Sequence, residues 1–476
     1  MSETLTPDIC VIGAGSGGLS VAAAAAAFGV SVVLLEKGKM GGDCLNYGCV
    51  PSKAMIAAGK TAATFRQAGK FGVTPQEPEV DFQKVHDHIH GVIASIAPND
   101  SVERFTGLGV RVITQAGKFK DNKTIVAGDY EIKARRFVVA TGSSAFVPPI
   151  PGLETVPYLT NESLFENTER PEHLIIVGGG PIGMEMAQAH RRLGAKVSVV
   201  EMQKALGNDD PELTAVAIAE MRKDGVDILE ETQVVRVAPG QDGGGVDVTV
   251  SRNEREETLS GSHLLIAAGR AANVNGLDLE KAGIEYSPKG IKVDRTMRST
   301  NRKIYAIGDV AGGLQFTHVA GYHAGLVIRS ILFRMGAKEN TDIIPRVTFT
   351  DPEVAQVGFT EEEARKTVSD IRVLRWPYAE NDRAQAERKT TGLIKVVTNK
   401  KGKILGAGIV GHNAGEMINI WALAVSQGLK VGAMTGYVPP YPTYTEIGKR
   451  ASTEYFKASL SNPWLKRGLA FLRVFG

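Results

Sequence analysis

The strongest constraint on the fold is a pattern the chain carries twice. Residues 8–38, "DICVIGAGSGGLSVAAAAAAFGVSVVLLEKG", open on an apolar run and pass through Gly13, Gly15 and Gly18 into a helical segment, and a second apolar run closes at Glu36. Residues 173–203, "HLIIVGGGPIGMEMAQAHRRLGAKVSVVEMQ", repeat the order with Gly178, Gly180, Gly183 and Glu201. The first glycine of each triplet permits a tight turn, the second lets backbone approach a pyrophosphate, and the third lets helix pack on strand. The helix N-terminus then faces the phosphates. The closing glutamate can accept hydrogen bonds from ribose hydroxyls. One triplet is weak evidence, but strand, glycines, helix, strand and acid in that order predict a dinucleotide fold. Two copies in one chain point to electrons passing between two bound cofactors. Glu201 would repel a 2′-phosphate and so favours NAD(H) over NADP(H), a preference that nearby Lys204 moderates.

Two further segments echo each other. "RRFVVATGSSAFVPPIPG" and "HLLIAAGRAANVNGL" are apolar strands ending in small-residue turns at Thr141-Gly142 and Ala268-Gly269, and "KIYAIGDVAGG" is a strand ending near Asp309. The expected architecture is α/β, with two Rossmann-like units, one inserted in the other. The first comprises residues 1–150 and 271–344, the second residues 151–270. From 345 to 476 a glycine-punctuated, β-rich stretch predicts a third, α+β domain. A chain of 476 residues is long enough for two to four domains.

With 55 basic against 52 acidic residues and a net charge of +3, nothing suggests the basic face that nucleic acid needs. Three cysteines cannot make a disulfide framework, which points to a reducing compartment. No basic-then-apolar leader opens the sequence. The longest apolar stretch, "LSVAAAAAAFGVSVVLL", is broken at Phe28-Gly29 and reads as helix, turn and buried strand rather than a membrane span. A cytoplasmic protein is expected.

"GGDCLNYGCVPSK", residues 41–53, holds two of the cysteines, Cys44 and Cys49. A redox pair, a metal site and two ordinary core residues are the readings to weigh. Together with both glycine fingerprints, "ATGS", "AAGR", "IGDVAGG" and "YPTYTE", this stretch makes the chain resemble, over nearly its whole length, the pyridine nucleotide–disulfide oxidoreductases. That family includes dihydrolipoamide dehydrogenase, glutathione reductase and mercuric reductase.

The resemblance implies FAD in the outer fold, held around Gly13, Gly15, Gly18, Glu36, Gly42, Thr141 and Gly142. Asp309 would hold the ribityl chain, and Gly117 backbone would lie near the adenine. Thr317, His318 and Val319 would begin a helix facing the flavin. NAD(P)H, with NADH preferred, would sit at Gly178, Gly180, Gly183, Glu201 and Gly269. Electrons would pass from NADH through flavin to a Cys44–Cys49 disulfide and on to a disulfide or lipoyl-type acceptor. Cys44 would exchange with substrate, Cys49 would contact the flavin, and Lys53 would pair with Glu185. The C-terminal domain would dimerise and complete the partner's site with Tyr441 and Glu446. A mercuric reductase-like metal-ion or quinone reductase is the alternative, and a slow redox-sensing flavoprotein a third reading.

The chemistry can also be argued from the residues. Cα atoms five apart on an ideal helix rise about 7.5 Å, beyond the usual disulfide limit of about 6.8 Å. Disulfide formation therefore needs a broken helix, and Gly48 and Pro51 supply the means. A helix start and Lys53 would both depress a thiol pKa. Zinc would want four ligands, and no further cysteine lies near the pair. The redox reading is the one retained, with no resident metal expected. Cys10, inside the first strand, is expected to be a small buried hydrophobe.

Four departures from the family pattern stand out. Tyr441 replaces the acid–base histidine that precedes proline, five residues before Glu446, and the last histidine of the chain is His412. A phenol, with an ordinary pKa of about 10, is a poor proton shuttle near neutral pH. Asp43 stands where threonine is usual, and Pro181 where glutathione reductases place a tyrosine. The chain also ends "GLAFLRVFG", without the C-terminal cysteine pair of mercuric reductases. Elsewhere, "VHDHIHG" places His86 and His90 one helical turn apart with His88 on another face; a solvated or packed helix is expected, with a metal or pH site as the alternative. The tail "NPWLKRGLAFLRVFG" gathers Trp464, Leu465, Leu469, Leu472 and Phe475 near one stripe, with Lys466, Arg467 and Arg473 around it. A helix packed on the dimer is expected there, with a membrane-surface or partner contact as the alternative.

Overall fold

A computed structural model describes residues 3–240, 244–460 and 462–476. Three sheets organise them. The first is parallel, with strands Ile304–Ala306, Arg136–Val139, Ile9–Ile12, Val32–Leu35 and Arg111–Ile113 side by side. The central strands Ile9–Ile12 and Val32–Leu35 are buried at every position, which is why they read as continuous apolar runs. The second parallel sheet orders Asp227–Leu229, Lys196–Val200, His173–Val177 and His263–Ile266. Its strands lie between Arg136–Val139 and Ile304–Ala306 in the chain, so the first sheet closes only after the second has been inserted. Ser143–Ala145 pairs antiparallel with Arg270–Ala272, tying the outgoing and returning connections together at the crossover.

Both glycine turns have the same local geometry. Gly13 and Gly178 have φ of +104° and +114°, where a Cβ would fall 2.4 Å from the Ala140 carbonyl and 2.3 Å from that of Ala267. A Cβ at Gly18 or Gly183 would sit 1.9 or 2.0 Å from the carbonyl of its own first glycine, so only glycine lets these helices approach their strands. The helices Ser16–Ala27 and Pro181–Arg192 follow directly. The alanine-rich stretch is thus helix, then the Phe28-Gly29 turn, then strand.

The third sheet is antiparallel, ordered Arg346–Thr348, Glu353–Gly358, Ile404–Gly411, Leu393–Asn399 and Ile371–Pro377. The helices Ala414–Ser426 and Glu446–Leu460 contribute Met417, Ile418, Trp421 and Ile447 to its core. Lys395 on this sheet is 5% exposed and reaches Asp210 and Glu212, at the start of the helix Pro211–Lys223, each at 2.9 Å. Cys10 is fully buried, and burial alone pushes its thiol pKa up. Among the described residues no helix is long and apolar enough to cross a membrane. The terminal helix Pro463–Leu472 leaves Trp464, Leu469 and Leu472 exposed within one chain, and the 3-10 turn Arg473–Phe475 after it leaves Phe475 exposed too.

Candidate active site

Cys44 lies in the short helix Gly42–Asn46, and Cys49 is the first residue of the helix Cys49–Gln67. Between them the chain turns at Tyr47 and Gly48, so the five-residue spacing does not run along one helix. Gly41 and Gly42 hold positive φ of 83° and 59° on entry, and a Cβ at Gly42 would meet the Cα of Gly15 at 2.7 Å. The cysteine loop is thereby seated against the first glycine turn. Asp43 fixes it from the other side: its Oδ1 accepts from Asn161 Nδ2 at 3.0 Å and pairs with Arg270 at 3.1 Å. A threonine there could not carry the charge that Arg270 meets, which gives the departure at position 43 a structural reason.

The two thiols are held in opposite states. Cys49 is lowered to about 6, first by the hydrogen bond from the Cys44 thiol, against the cost of burial, and then by Thr317 and the charge of Lys53. Cys44 is pushed well up, first by holding that shared proton and then by burial. Thr317 Oγ1 is 3.3 Å from Cys49 Sγ, at the first turn of the helix Thr317–Leu332. Lys53 is one turn along from Cys49, and its Nζ donates to Glu185 Oε2 at 2.8 Å and lies 4.4 Å from the Phe349 ring centre. Glu185 is 5% exposed, and its other oxygen accepts from Phe349 N at 2.8 Å. One carboxylate thus joins all three structural units around the lysine.

These groups open on a cavity of about 2020 Å³. Gly15, Cys44, Cys49, Lys53, Gly142, Asp309, Thr317 and His318 line it, and so do Gly178, Gly180, Glu185, Glu201 and Gly269. A single space therefore connects both glycine turns with the cysteine pair. Gly13, Gly18, Thr141 and Gly183 lie behind its walls rather than lining it, and Val319 is buried in the helix Thr317–Leu332. Glu36 and Glu201 play matching local parts. Glu36 accepts from Ala14 N at 2.6 Å and Gly38 N at 2.7 Å, and Glu201 accepts from Gly179 N and Gln203 N at 2.7 Å each. Lys204 is drawn to Glu231 at 3.1 Å, away from Glu201. Gly117 is packed under Leu35 and does not border the cavity.

Asp309 accepts from Ser143 Oγ at 2.5 Å, Ser143 in turn accepts from Arg270 Nε at 2.7 Å, and burial raises the Asp309 pKa. His318 Nε2 bonds the Pro345 carbonyl at 2.8 Å. Sequence reasoning did not single out Arg270, Ser143, Asn161 or Phe349 as site residues. For the first two the echoing "AAGR" and "ATGS" segments carried a signal; Asn161 and Phe349 have none.

Tyr441 and Glu446 stand apart from the cysteine pair within one chain. Tyr441 is 70% exposed and its hydroxyl donates to Asp382 Oδ2 at 2.9 Å, which raises its pKa further. Glu446 opens the helix Glu446–Leu460 and accepts from Thr443 N at 3.4 Å.

Residues 7–324 match the family profile described as pyridine nucleotide-disulphide oxidoreductase, and residues 344–452 match that family's dimerisation domain. The chain belongs to this family. Its members bind FAD and use NAD(P)H, and the chain is accordingly a flavoprotein disulfide oxidoreductase. It is 34% identical to a mercuric reductase of Bacillus cereus over 94% of this chain and 72% of that one. It is 31% identical to a dihydrolipoyl dehydrogenase of Geobacillus stearothermophilus over 93% of this chain and 94% of that one. Among solved structures, the Cu(II) complex of the HOCl-induced flavoprotein disulfide reductase RclA from Escherichia coli shares a TM-score of 0.83 at 28% identity, covering 94% and 99% of the two chains. LpdA from Mycobacterium tuberculosis shares a TM-score of 0.86 at 26% identity with the same coverage.

Proposed function

We propose that the chain passes electrons from NADH through FAD to a Cys44–Cys49 disulfide, and from Cys44 to a disulfide or lipoyl-type acceptor. The observation carrying this reading is the polarised thiol pair opening on the space shared by both glycine turns. The residues suit the cofactors: each turn offers a helix N-terminus to phosphates, with no side chain to block a close approach. Bound FAD would take hydride from NADH and return an electron pair to the disulfide. Cys49 would hold the resulting thiolate, stabilised by Thr317 and Lys53, while Cys44 keeps the proton that reduction of the pair takes up. Lys53 is oriented by Glu185. The dimerisation domain supports a homodimer, in which Tyr441 and Glu446 would border the partner's cysteine pair.

A second reading is favoured by Tyr441. A phenol held further protonated by its bond to Asp382 is a poor base for a disulfide substrate. A thiophilic metal ion, which binds thiolate directly, makes no such demand. Anaerobic NADH oxidation with lipoamide and with Hg(II) tests both. Lipoamide turnover abolished by Cys44→Ser supports the first reading, and Hg(II) turnover without lipoamide turnover supports the second. Turnover unchanged by Cys44→Ser with either acceptor defeats both.

Glu201 supports NADH over NADPH, and the exposed pair of Lys204 with Glu231 competes with any moderating contact from that lysine. Glu201→Ser is expected to narrow the ratio of kcat/KM for NADH over NADPH by about tenfold, one lost charge repulsion being worth roughly 1.4 kcal/mol. An unchanged ratio would mean that another group selects the nucleotide. The terminal helix, which has exposed apolar residues beside Lys466 and Arg467, suits an anionic vesicle or a partner surface. Vesicle binding lost on deleting residues 462–476 would place it at a membrane, and no binding by the intact protein would exclude that use.

A further inference from the structure

His86 and His90 lie one turn apart on the helix Phe82–Ile96, with ring centres 4.1 Å apart. Spacing alone gave them no partner. In the folded chain a third group arrives from the 3-10 helix Leu164–Glu166, in the connection leading to the second parallel sheet. Glu166 Oε2 is 3.7 Å from His90 Nε2, and one donor atom from each of His86, His90 and Glu166 lies within 4.8 Å of the others. Asp87 Oδ1 is 3.1 Å from His86 Nδ1 and also accepts from Gln83 at 2.9 Å. A carboxylate can only accept, so it places the His86 proton on Nδ1 and leaves Nε2 with a free lone pair. A carboxylate behind the imidazole is the usual support of a metal-bound histidine.

We propose that His86, His90 and Glu166 form a binding site for a borderline divalent cation of the Zn²⁺ type. Two imidazoles and one carboxylate, with water in the fourth position, make a tetrahedral donor set for such an ion. Ligand atoms around zinc lie about 3.3 Å apart, given bonds of about 2.0 Å, so the cluster closes by small side-chain rotations. His90 Nε2 now bonds the Phe165 carbonyl at 3.2 Å. An ion taken at that nitrogen replaces this contact, and the neutral ring then carries its one proton on Nδ1 instead. The site lies outside the cysteine pair and shares no residue with it. Its two elements nevertheless border the cavity through Val92 and Phe165, so the ion would clamp one wall of it.

The test uses the FAD-loaded full-length protein with Cys44→Ser and Cys49→Ser, which removes the thiols as competing ligands. Zn²⁺ titration against a chromophoric chelator is expected to show one ion per protomer. In that background His86→Gln, His90→Gln and Glu166→Gln should each weaken binding about tenfold or more, and His88→Gln should leave it unchanged. Glu166 is exposed, so its substitution cannot act through loss of the fold. Co²⁺ added instead should give the intense visible bands of a four-coordinate site, lost in Glu166→Gln. Absence of saturable Zn²⁺ binding, or affinity indifferent to Glu166→Gln and His90→Gln, overturns the proposal.

Discussion

Cys49→Ser is expected to lower NADH-driven acceptor turnover on the order of 10³-fold, while NADH still bleaches the flavin once. A serine hydroxyl can neither form the disulfide nor stand as an anion near neutral pH. The position is also where the site invests most of its polarisation: the Cys44 thiol, Thr317 and Lys53 together bring Cys49 down to about 6 despite burial. The thiolate is the charged form, so it is present above about pH 6 and lost as the pH falls below it. In the NADH-reduced native enzyme the long-wavelength thiolate–flavin absorbance should therefore fade below about pH 6. Thr317→Val removes the hydroxyl 3.3 Å from the sulfur and should move that midpoint upward. Undiminished turnover in Cys49→Ser would mean that electrons leave the flavin by another route. A midpoint unmoved by Thr317→Val would mean that Cys44 and Lys53 alone set the thiolate.

Lys395→Met is expected to destabilise the folded protein by about 3–5 kcal/mol. The lysine is 5% exposed and meets Asp210, Glu212 and Glu361, each at 2.9 Å. Removing it leaves carboxylates of like charge facing one another, with Asp210 only 3% exposed. Arg375 still spans Glu212 at 2.7 Å and Glu361 at 2.9 Å, which limits the loss without covering Asp210. The network also has a pH signature. Burial pushes the Glu361 pKa up, but the hydrogen bonds from Lys395 and Arg365 outweigh it and bring the group to about 2. A carboxylate depressed on folding contributes stability that is complete above its unfolded value and is lost as pH falls toward the folded one. The native protein should thus lose stability between about pH 4.5 and 2, and Lys395→Met should show a smaller loss there. Urea unfolding across that range measures both. An unchanged midpoint at neutral pH would show that the lysine merely balances its own desolvation.

Much of the cofactor architecture was legible because its constraints are local. Glycine, helix and acid lie within about thirty residues of each other, and steric necessity at Gly13 and Gly178 leaves a mark in the sequence. The cysteine pair was legible for the same reason, since Gly48 and Pro51 announce the break that the spacing requires. Other groups were not, because their partners are remote in the chain. Asp43 reads along the chain only as a departure from the family pattern, and its partners Asn161 and Arg270 come from distant segments. The resemblance places Thr317 at the flavin, whereas its contact with Cys49 comes from a helix that begins 268 residues further on. Lys204 reads along the chain as a modifier of nucleotide choice, and the fold adds Glu231 as a competing partner.

By itself, then, the sequence determined where each nucleotide turn lies, which cysteines face each other and which residue types flank them. Backbone sterics and short-range helix geometry act between neighbours, so they can be read along the chain. The tertiary structure decided which thiol carries the charge, what holds the cysteine loop, how Lys395 joins the sheet to the inserted unit, and that Glu166 stands over the histidine pair. Those depend on electrostatic and hydrogen-bond contacts across distant segments, and such contacts exist only once packing has brought the segments together.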